Sequence, residues 1–454
     1  MLRICWSRSL STVRKISLNR ATPPLVAPST WQASSGGCLT KAGQTDVAMR
    51  HLSNRTLFAL MLLLGLYFPS SVGGDLSVSL YRASFAVSVI VLVILALRVG
   101  VDEYILLWFS GPIVIWLGLC TLPALFQLSV LTVSPLAIFC PLAFLLSVQV
   151  GKLRCGNLTR VLIVVSIANV CLGIAMLTVG SVANFMAAHY NDFIDGLVGD
   201  MIAANKPVLT FATHSLAGTF SYLFFWLNFR TYQKTGNRLH LALAILQIAI
   251  CIALMSITSI GFAVLAIAEL AWNFRWSSAL SAIAAYFLIP TSLKETIGTL
   301  FLSDIWFREG GGFRARYVGT GTLASAFAYI QHHPFSPIGL MFSHNLFDEG
   351  AQTDSGPLLY FLRGSFILVF LIYAGLFLFL RRNLRDRWEC YRLFFVILVA
   401  EVGFSVITYS RTYLLLPAFV IYLNSLPAAS FVRAAKLESV PLPDRAGTVP
   451  QLQT

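Results

Sequence analysis

Charged residues are scarce in this sequence. Asp, Glu, Lys and Arg make up only 11% of its 454 residues, whereas about a quarter of the residues are charged in an average soluble domain. Hydrophobic residue types make up 57%, and the mean hydropathy is +0.77. The shortage of charge excludes a soluble globular protein and predicts a chain that lies in a lipid bilayer.

Acidic residues are scarcer than basic ones, with 19 Asp and Glu against 32 Lys and Arg. In a soluble protein such an excess would indicate nucleic-acid binding. Here the basic residues form short clusters between apolar runs of about 18–22 residues, which is the arrangement of cytoplasmic loops in membrane proteins. We therefore interpret the charge as a sign of topology and expect no nucleic-acid partner.

Metal-binding patterns are also lacking. The eight cysteines contain no Cys-x-x-Cys pair, and none lies between residues 291 and 357. This argues against a disulfide framework or a zinc site, and the cysteines are expected to pack as small hydrophobic residues. The carboxylates Asp348, Glu349 and Asp354 do not have the spacing of a metal-binding loop. We expect no metal and no cofactor.

The apolar runs predict an all-α, polytopic integral membrane protein with about twelve transmembrane helices and one large extracytoplasmic loop that contains short amphipathic helices. The predicted spans lie near residues 55–73, 77–98, 104–124, 131–150, 159–180, 207–229, 239–255, 257–272, 276–290, 358–380, 392–409 and 412–429. The corresponding regions are helices 1–9 in residues 49–290, the large loop in 291–357, helices 10–12 in 358–430, and a disordered cytoplasmic tail in 431–454.

The first 48 residues are basic, rich in Ser and Thr, and contain no apolar run long enough to cross a bilayer. Their composition is typical of an organellar transit segment. The alternative is a translation start at Met49, because Met49-Arg50-His51 leads directly into the first apolar run, and we favour this alternative. Both interpretations predict a disordered segment.

The basic clusters all fall on one side of the membrane if twelve helices alternate in direction. By the positive-inside rule both termini are then cytoplasmic, while residues 181–206 and 291–357 face outward. Basic residues on the outer side are not required by topology. They are Lys206, Lys294, Arg308, Arg314, Arg316, Arg363 at the start of its helix, Arg411 in the turn Tyr409-Ser410-Arg411-Thr412, and Arg82 at the start of the second span.

The large loop has helical patterns of its own. Ser292-Leu293-Lys294-Glu295 is a capping-box pattern, and apolar residues at helical spacing follow it up to Trp306. We predict a helix on the membrane surface there. Leu323, Phe327 and Ile330 predict a second short helix that ends before His332.

Several polar side chains are suited to chemistry. Guanidinium groups bind diphosphates and carboxylates through two parallel hydrogen bonds, so Arg308, Arg314, Arg316 and Arg411 are candidates for a diphosphate ligand. The alternative is that these arginines pair with loop acids or lipid headgroups. Candidates for acid–base chemistry are His332, His333 and His344, although exposed loop histidines are more often solvated.

Two further ionisable residues lie within predicted spans. Glu401 is expected near the middle of the eleventh span, where an ionisable group is costly and therefore a functional candidate; the alternative is a neutral packing residue. His214, near the outer end of the sixth span, is expected to be a hydrogen-bonded helix residue.

Three stretches resemble the superfamily of bacterial O-antigen polymerases and O-antigen ligases. They are Lys206–Ala217, the succession from Arg314 through Ala328-Tyr329-Ile330 to His333–Gly339, and the run from Ser343-His344-Asn345 through Asp354-Ser355-Gly356 to Arg363-Gly364. The resemblance covers roughly residues 200–380. The chain departs from it at Ser259-Ile260-Gly261, where the family commonly has Ser-Arg-Gly, so another arginine such as Arg411 would have to replace that one.

The resemblance implies glycosyl transfer at the periplasmic face of the bacterial inner membrane, from an oligosaccharide linked to undecaprenyl diphosphate, without a metal. It implies catalytic roles for Arg314, Arg316 and His344, and substrate binding by Arg308, His333, Asp354, Arg363 and Arg411. Membrane lipids and a chain-length regulator and flippase of the same pathway are the implied partners.

Three functions remain open at this point. The first is a polymerase of lipid-linked repeat units, which we favour because of the outer arginines and Asp354-Ser355-Gly356. The second is a ligase that transfers a finished chain to the lipid A core. The third is a flippase or transporter, which we consider weaker because the sequence has no internal repeat and little charge within its predicted spans apart from Glu401.

Overall fold

The computed structural model describes residues 54–68, 76–125, 134–190, 207–273 without Ala212 and Met255, 324–332 with Phe335, and 355–426. Within these ranges the chain is helical, and the extended residues pair at one isolated bridge, between Val101 and Val148. The all-α prediction is confirmed for this part of the chain. The predicted ninth span, residues 276–290, and the surface helix that follows it lie outside the described residues.

Fourteen α-helices occur in the described ranges. They are α1 (Asn54–Tyr67), α2 (Leu76–Val99), α3 (Glu103–Ile105), α4 (Gly111–Leu125), α5 (Ser134–Ser147), α6 (Thr159–Thr178), α7 (Gly180–Tyr190), α8 (His214–Thr235), α9 (Arg238–Ala253), α10 (Ile257–Asn273), α11 (Ala324–His332), α12 (Gly356–Asn383), α13 (Arg387–Gly403) and α14 (Thr412–Ser425). A π-helical turn, Leu106–Ser110, joins α3 to α4 without a break. A 3-10 turn, Val150–Lys152, follows α5.

Four helical segments of the described chain are long and apolar enough to cross a membrane, namely Arg82–Val99, Glu103–Cys120, Thr159–Thr178 and Gly356–Asn383. Shorter apolar helices, such as Asn54–Tyr67 and Thr412–Ser425, accompany them. These helices indicate a multi-pass membrane protein. They do not establish the predicted count of twelve spans.

Contacts between helix ends show which of them lie together at each end of the described bundle. At the first end, which we call the basic end, Asn54 donates to Arg154 O (3.2 Å) and Asn424 donates to Asn383 O (2.6 Å). At the opposite end, the Arg411 end, the last residues of α1 and α7 meet the start of α14. Successive long helices therefore run in alternating directions.

The same contacts locate the two residues that border the large loop. Asn273, the last residue of α10, accepts a hydrogen bond from Gln233 (2.7 Å) near the basic end of α8. Gly356, the first residue of α12, lies against Glu401 at the Arg411 end. These two residues therefore lie at opposite ends of the bundle.

The helices α8 and α14 form its centre. Both are buried on all sides over most of their length, as expected for a helix that is apolar all round. Phe419 of α14 packs against Phe220 and Phe224 of α8 with ring centroids 6.1 and 5.9 Å apart. The elements described below are arranged around this pair.

The sixth predicted span begins too early. Helix α8 starts at His214 rather than near residue 207. Its N-cap residue is Thr213, whose hydroxyl accepts a hydrogen bond from Leu216 N (3.2 Å). The preceding residues Pro207–Phe211 are buried but not helical, and Leu209 has a φ of 53°. The apolar character of this segment reflects burial against the bundle, so hydropathy alone did not separate it from the helix.

Exposed aromatic residues gather near the basic end. Tyr104 and Trp108 lie at the start of the α3–α4 helix, Trp272 at the end of α10, and Trp388 and Tyr391 at the start of α13, and all five side chains are at least half exposed. Tyr and Trp are enriched where membrane helices meet the headgroup region. Their arrangement supports a membrane interface at this level.

Candidate functional site

Two interruptions of the helical structure occur towards the Arg411 end of the bundle. One is a break inside α12, at Gly364 and Ser365. The other is the non-helical connection Phe404–Arg411 between α13 and α14. We call the residues Gly356–Ser365 and Phe404–Arg411 the interrupted-helix site.

The break in α12 separates its first segment, Gly356–Arg363, from the rest of the helix. Gly364 has φ −150° and ψ 25°, and Ser365 has φ 58° and ψ −171°. The Gly364 carbonyl accepts a hydrogen bond from Trp116 Nε1 (2.6 Å). A Cβ at Gly364 would lie 2.6 Å from Leu368 Cβ, so the close approach of Leu368 leaves no room for a side chain at this position.

Arg363 is the last residue before this break. The sequence predicted it at the outer start of its helix, but α12 begins at Gly356 and Arg363 follows seven residues later. Its side chain is 9% exposed. A cation at the carboxyl end of a helical segment interacts favourably with the helix dipole, which helps to offset its burial. Arg363 therefore brings a positive charge inside the bundle, next to the interruption.

Glu401 is fully buried and has three hydrogen-bond donors around its carboxylate. Ile407 N donates to Oε1 (2.6 Å), while the hydroxyls of Tyr360 (2.7 Å) and Tyr373 (3.3 Å) donate to Oε2. Gly356 lies so close that a Cβ there would overlap Oε2. We call these five residues the Glu401 network.

The position of Glu401 also differs from the prediction. Helix α13 is shifted towards the amino terminus relative to the predicted span 392–409 and ends at Gly403. Glu401 is therefore near the end of its helix rather than at the middle of a span. Its donors lie on α12 and in the connection, so it is not an isolated acid.

The connection between α13 and α14 is held by short-range hydrogen bonds. Ser405 and Thr408 bond to each other through their hydroxyls, and Thr412 Oγ1 donates to Val406 O (2.6 Å). The Tyr413 hydroxyl donates to Thr408 O (3.4 Å). These bonds keep a non-helical backbone inside the bundle, where its polar groups need partners.

Arg411 ends the connection and is 2% exposed. Its Nη1 donates to Leu66 O (3.3 Å) and to Thr210 O, and its Nη2 donates to Phe68 O (3.0 Å). The guanidinium carbon lies 5.2 Å from the ring centre of Tyr190. Arg411 thus joins the end of α1, the residues before α8 and the start of α14.

The aromatic residues around Arg411 extend this junction. Tyr409 and Phe211 present their rings to the guanidinium at 5.8 and 5.9 Å. The Tyr190 hydroxyl donates to Tyr67 O (2.7 Å). Burial raises the pKa of Tyr190, and the positive charge of Arg411 opposes this rise. The protonated hydroxyl is the form that donates to the carbonyl.

The hydrogen bond from Thr412 N to Tyr409 O (2.8 Å) agrees with the predicted turn at residues 409–412, and the side chain of Arg411 joins separate chain segments. These contacts do not test direct contact of Arg411 with a substrate, which stays a prediction. Most other predicted site residues lie outside the described residues: Arg308, Arg314, Arg316, His333, His344 and Asp354. Of the remaining candidates, Arg82 is exposed, and His214 is the first residue of α8.

The second predicted loop helix is present as α11, which ends at His332 and packs against α12. At the position of the family's Ser-Arg-Gly sequence, Ser259 is buried and shares a hydrogen bond with Ser256 (2.7 Å). Gly218 of α8 lies directly against Ser259. This stretch therefore forms a close packing contact between α8 and α10.

Two polar groups between the helices were not predicted from the sequence, one partly buried and one buried. Arg392 of α13 forms an ion pair with Glu269 of α10 and lies 5.0 Å from the ring centre of Trp226.

A chain of hydrogen-bonded polar residues joins α6, α8 and α9. Its members are Asn169, Gln247, Ser166, Asn228 and His240. Hydrogen bonds of this kind join helices within membranes, and the polar residues in the apolar runs were the available signal.

Within the part of the chain that the structure describes, no three His, Cys, Asp or Glu residues come together in a way that could hold a metal ion. Comparison of the chain with family models, curated proteins and solved structures gave no match.

Proposed function

We propose that this chain is a multi-pass membrane glycosyltransferase that joins oligosaccharide repeat units linked to undecaprenyl diphosphate, at the periplasmic face of a bacterial inner membrane. The observation that carries the proposal is the buried Arg363 at the break in α12, towards the end of the bundle that also contains Arg411. The opposite end carries the basic clusters that mark a cytoplasmic face.

The location of the loop borders supports the proposed topology. Asn273 and Gly356 lie at opposite ends of the bundle, which fits a further span near residues 276–290. The large loop would then begin and end at the face that carries Arg411. Its arginines, Arg314 and Arg316, would share that face with the interrupted-helix site.

The chemistry of the donor explains why cations are needed there. Negative charge accumulates on the diphosphate as the glycosidic bond breaks, so arginines that are already in place stabilise the transition state more than the ground state. In this proposal Arg314 and Arg316 bind the diphosphate, with Arg308 and Arg363 nearby. His344 accepts the proton of the attacking hydroxyl group, while His333 and Asp354 bind the sugars.

The test is a reaction with purified components. The protein is reconstituted in lipid nanodiscs and incubated with a defined oligosaccharide linked to undecaprenyl diphosphate. We expect free carrier diphosphate and a glycan that is longer by whole repeat units, as seen by mass spectrometry. An unchanged substrate would contradict the proposal. Transfer to added lipid A core, without chain growth, would identify the ligase instead.

A flippase for the same lipid-linked sugars is the second candidate. The interrupted helices favour it, because transporters often bind substrates where membrane helices are discontinuous. In sealed liposomes, movement of the lipid-linked oligosaccharide between leaflets with no change in its linkages would support transport. Release of carrier diphosphate in the same liposomes would support glycosyl transfer.

A further inference from the structure

The Glu401 carboxylate connects the α13–α14 connection with two segments of α12. Oε1 accepts from Ile407 N in the α13–α14 connection, and Oε2 accepts from Tyr360 and Tyr373 on either side of the break in α12. A single side chain therefore holds both parts of the interrupted-helix site.

The same geometry argues against direct chemistry at this carboxylate. Glu401 is 0% exposed, both of its oxygens accept hydrogen bonds, and the backbone of Gly356 closes the remaining side. A group that abstracts a proton from a substrate must come within hydrogen-bond reach of that proton. Glu401 is enclosed by protein, so its role has to be exerted through its neighbours.

Two of those neighbours, Tyr360 and Ile407, are close in sequence to the two buried arginines. Tyr360 is three residues before Arg363 in the same helical segment, and Ile407 is four residues before Arg411. We propose that Glu401 is a positioning residue, which fastens the first segment of α12 to the α13–α14 connection and thereby sets the places of Arg363 and Arg411. The effect on catalysis rests on the proposed function, whereas the structural connection does not.

A carboxylate is well suited to this role because it can accept several hydrogen bonds from different directions. Bonds to a charged acceptor are also stronger than those between neutral groups. An amide of the same shape would keep most of the geometry, since the oxygen of glutamine can accept from Ile407 N and its NH₂ group can donate to the tyrosine hydroxyls. An aliphatic side chain of similar size could make none of these bonds.

Hydrogen exchange tests the structural connection without any substrate. The full-length protein in nanodiscs is compared with Glu401→Gln and Glu401→Leu, and the exchange of the Ile407 amide is followed by mass spectrometry. In E401L we expect exchange about ten to a hundred times faster than in the wild type, the factor for losing a hydrogen bond to a charged group. In E401Q we expect a smaller acceleration, of about five- to tenfold, because a neutral hydrogen bond replaces the one to the charged group.

A matched control comes from the other end of the same helix. Glu389 is a buried carboxylate of α13 that pairs with Arg230 (3.1 Å) and Lys234 (3.6 Å). The variant Glu389→Gln should leave the exchange of Ile407 unchanged, since these contacts lie at the basic end. Equal acceleration in E389Q and E401L would show a general loosening of α13 and would overturn the proposal.

The activity assay tests the consequence for catalysis. We expect E401L to lower kcat by about 100-fold, the loss expected when groups at an active site move by about 1 Å, and E401Q to restore kcat to within about fivefold of the wild type. Tyr360→Phe removes one donor and leaves the packing intact, so it should reduce kcat about fivefold. This variant keeps the test valid if E401L does not fold.

The outcomes separate this proposal from the proposed function. Loss of activity in E401Q with normal protection of Ile407 would show that the negative charge itself is needed, and would overturn a positioning role. Full protection of the Ile407 amide together with full activity in E401L would also overturn a positioning role. If the wild type transfers no sugar but E401L exposes Ile407, the connection stands and the glycosyltransferase proposal fails.

Discussion

A buried arginine is stable only when its donors find acceptors and its charge is compensated. Arg411 meets the first condition with three backbone carbonyls from two other chain segments, and its guanidinium is flanked by aromatic rings that favour a cation. A side chain bound in this way is better suited to hold the ends of helices together than to follow a moving ligand.

Replacing Arg411 should therefore destabilise the fold. Arg411→Ala leaves three carbonyls without this donor, and each buried acceptor without a partner costs about 1–3 kcal/mol. We expect a clearly lower unfolding temperature of the purified protein in detergent, measured by a thiol-reactive or intrinsic fluorescence assay. The unfolding temperature of Arg411→Lys should lie between those of the wild type and Arg411→Ala, because an ammonium group cannot bind several acceptors as a planar guanidinium does.

Arg82 provides the control for this measurement. Its side chain is exposed on α2, six residues after the helix begins, and exposed substitutions usually change stability by less than about 0.5 kcal/mol. An unfolding temperature of Arg411→Ala equal to that of Arg82→Ala would mean that the contacts of Arg411 contribute no stability.

The loop arginines lead to a prediction about activity. Arg314→Ala or Arg316→Ala should abolish product formation, because the diphosphate would lose charge stabilisation in the transition state. Protein levels in the membrane should stay normal, as judged by immunoblotting. Arg387→Ala, an exposed change at the start of α13, should leave product formation unchanged. Full activity of both loop variants would remove the central claim of the proposed mechanism.

At the scale of the element, the break in α12 stores backbone strain. Ser365 adopts φ 58° and ψ −171°, a region that is essentially restricted to glycine and costs of order 1–3 kcal/mol for other residues. The nearby π-helical turn Leu106–Ser110 packs against α12, and Trp116 Nε1 donates to the Gly364 carbonyl at the break. The surrounding helices thus maintain the distortion.

This strain is measurable by substitution. Ser365→Gly should raise the free energy of unfolding by about 1 kcal/mol, because glycine adopts this conformation without a Cβ penalty. Gly364→Ala should lower the free energy of unfolding by about 1–3 kcal/mol, because the new Cβ overpacks against Leu368. Thermal unfolding of both variants gives the comparison. A stabilised Gly364→Ala would show that the break is absent in the folded protein.

The helices themselves could largely be predicted from the apolar runs, and the turn around Arg411 was visible in its polar sequence. The Glu401 network could not be predicted, since the two tyrosines that bind the carboxylate precede it by 41 and 28 residues. The break in α12 left no clear signal either, because single glycines are common in membrane helices. Most of the predicted site residues lie outside the described ranges, so their roles stay predictions.

At the scale of the whole molecule, the alternating helix directions make a prediction about topology. A reporter fused after Tyr190, at the end of α7, should lie outside the cytoplasm, whereas one fused after Gly236, between α8 and α9, should lie inside. Alkaline phosphatase is active only when exported, and green fluorescent protein from the cytoplasm gives the reciprocal signal. The same side for both fusions would contradict the alternation.

The Arg411 junction also bears on how the protein is made. The carbonyls of Leu66 and Phe68 leave the ribosome early, whereas the guanidinium that binds them follows some 340 residues later, as the sequence separations of 345 and 343 show. Because domains form as the chain emerges from its amino terminus, this end of the bundle stays incomplete until Arg411 has been synthesised. A chain that stops short of Arg411 leaves the carbonyls of Leu66, Phe68 and Thr210 without this donor, so we expect membrane proteases to degrade it faster than a chain that includes Arg411 and α14.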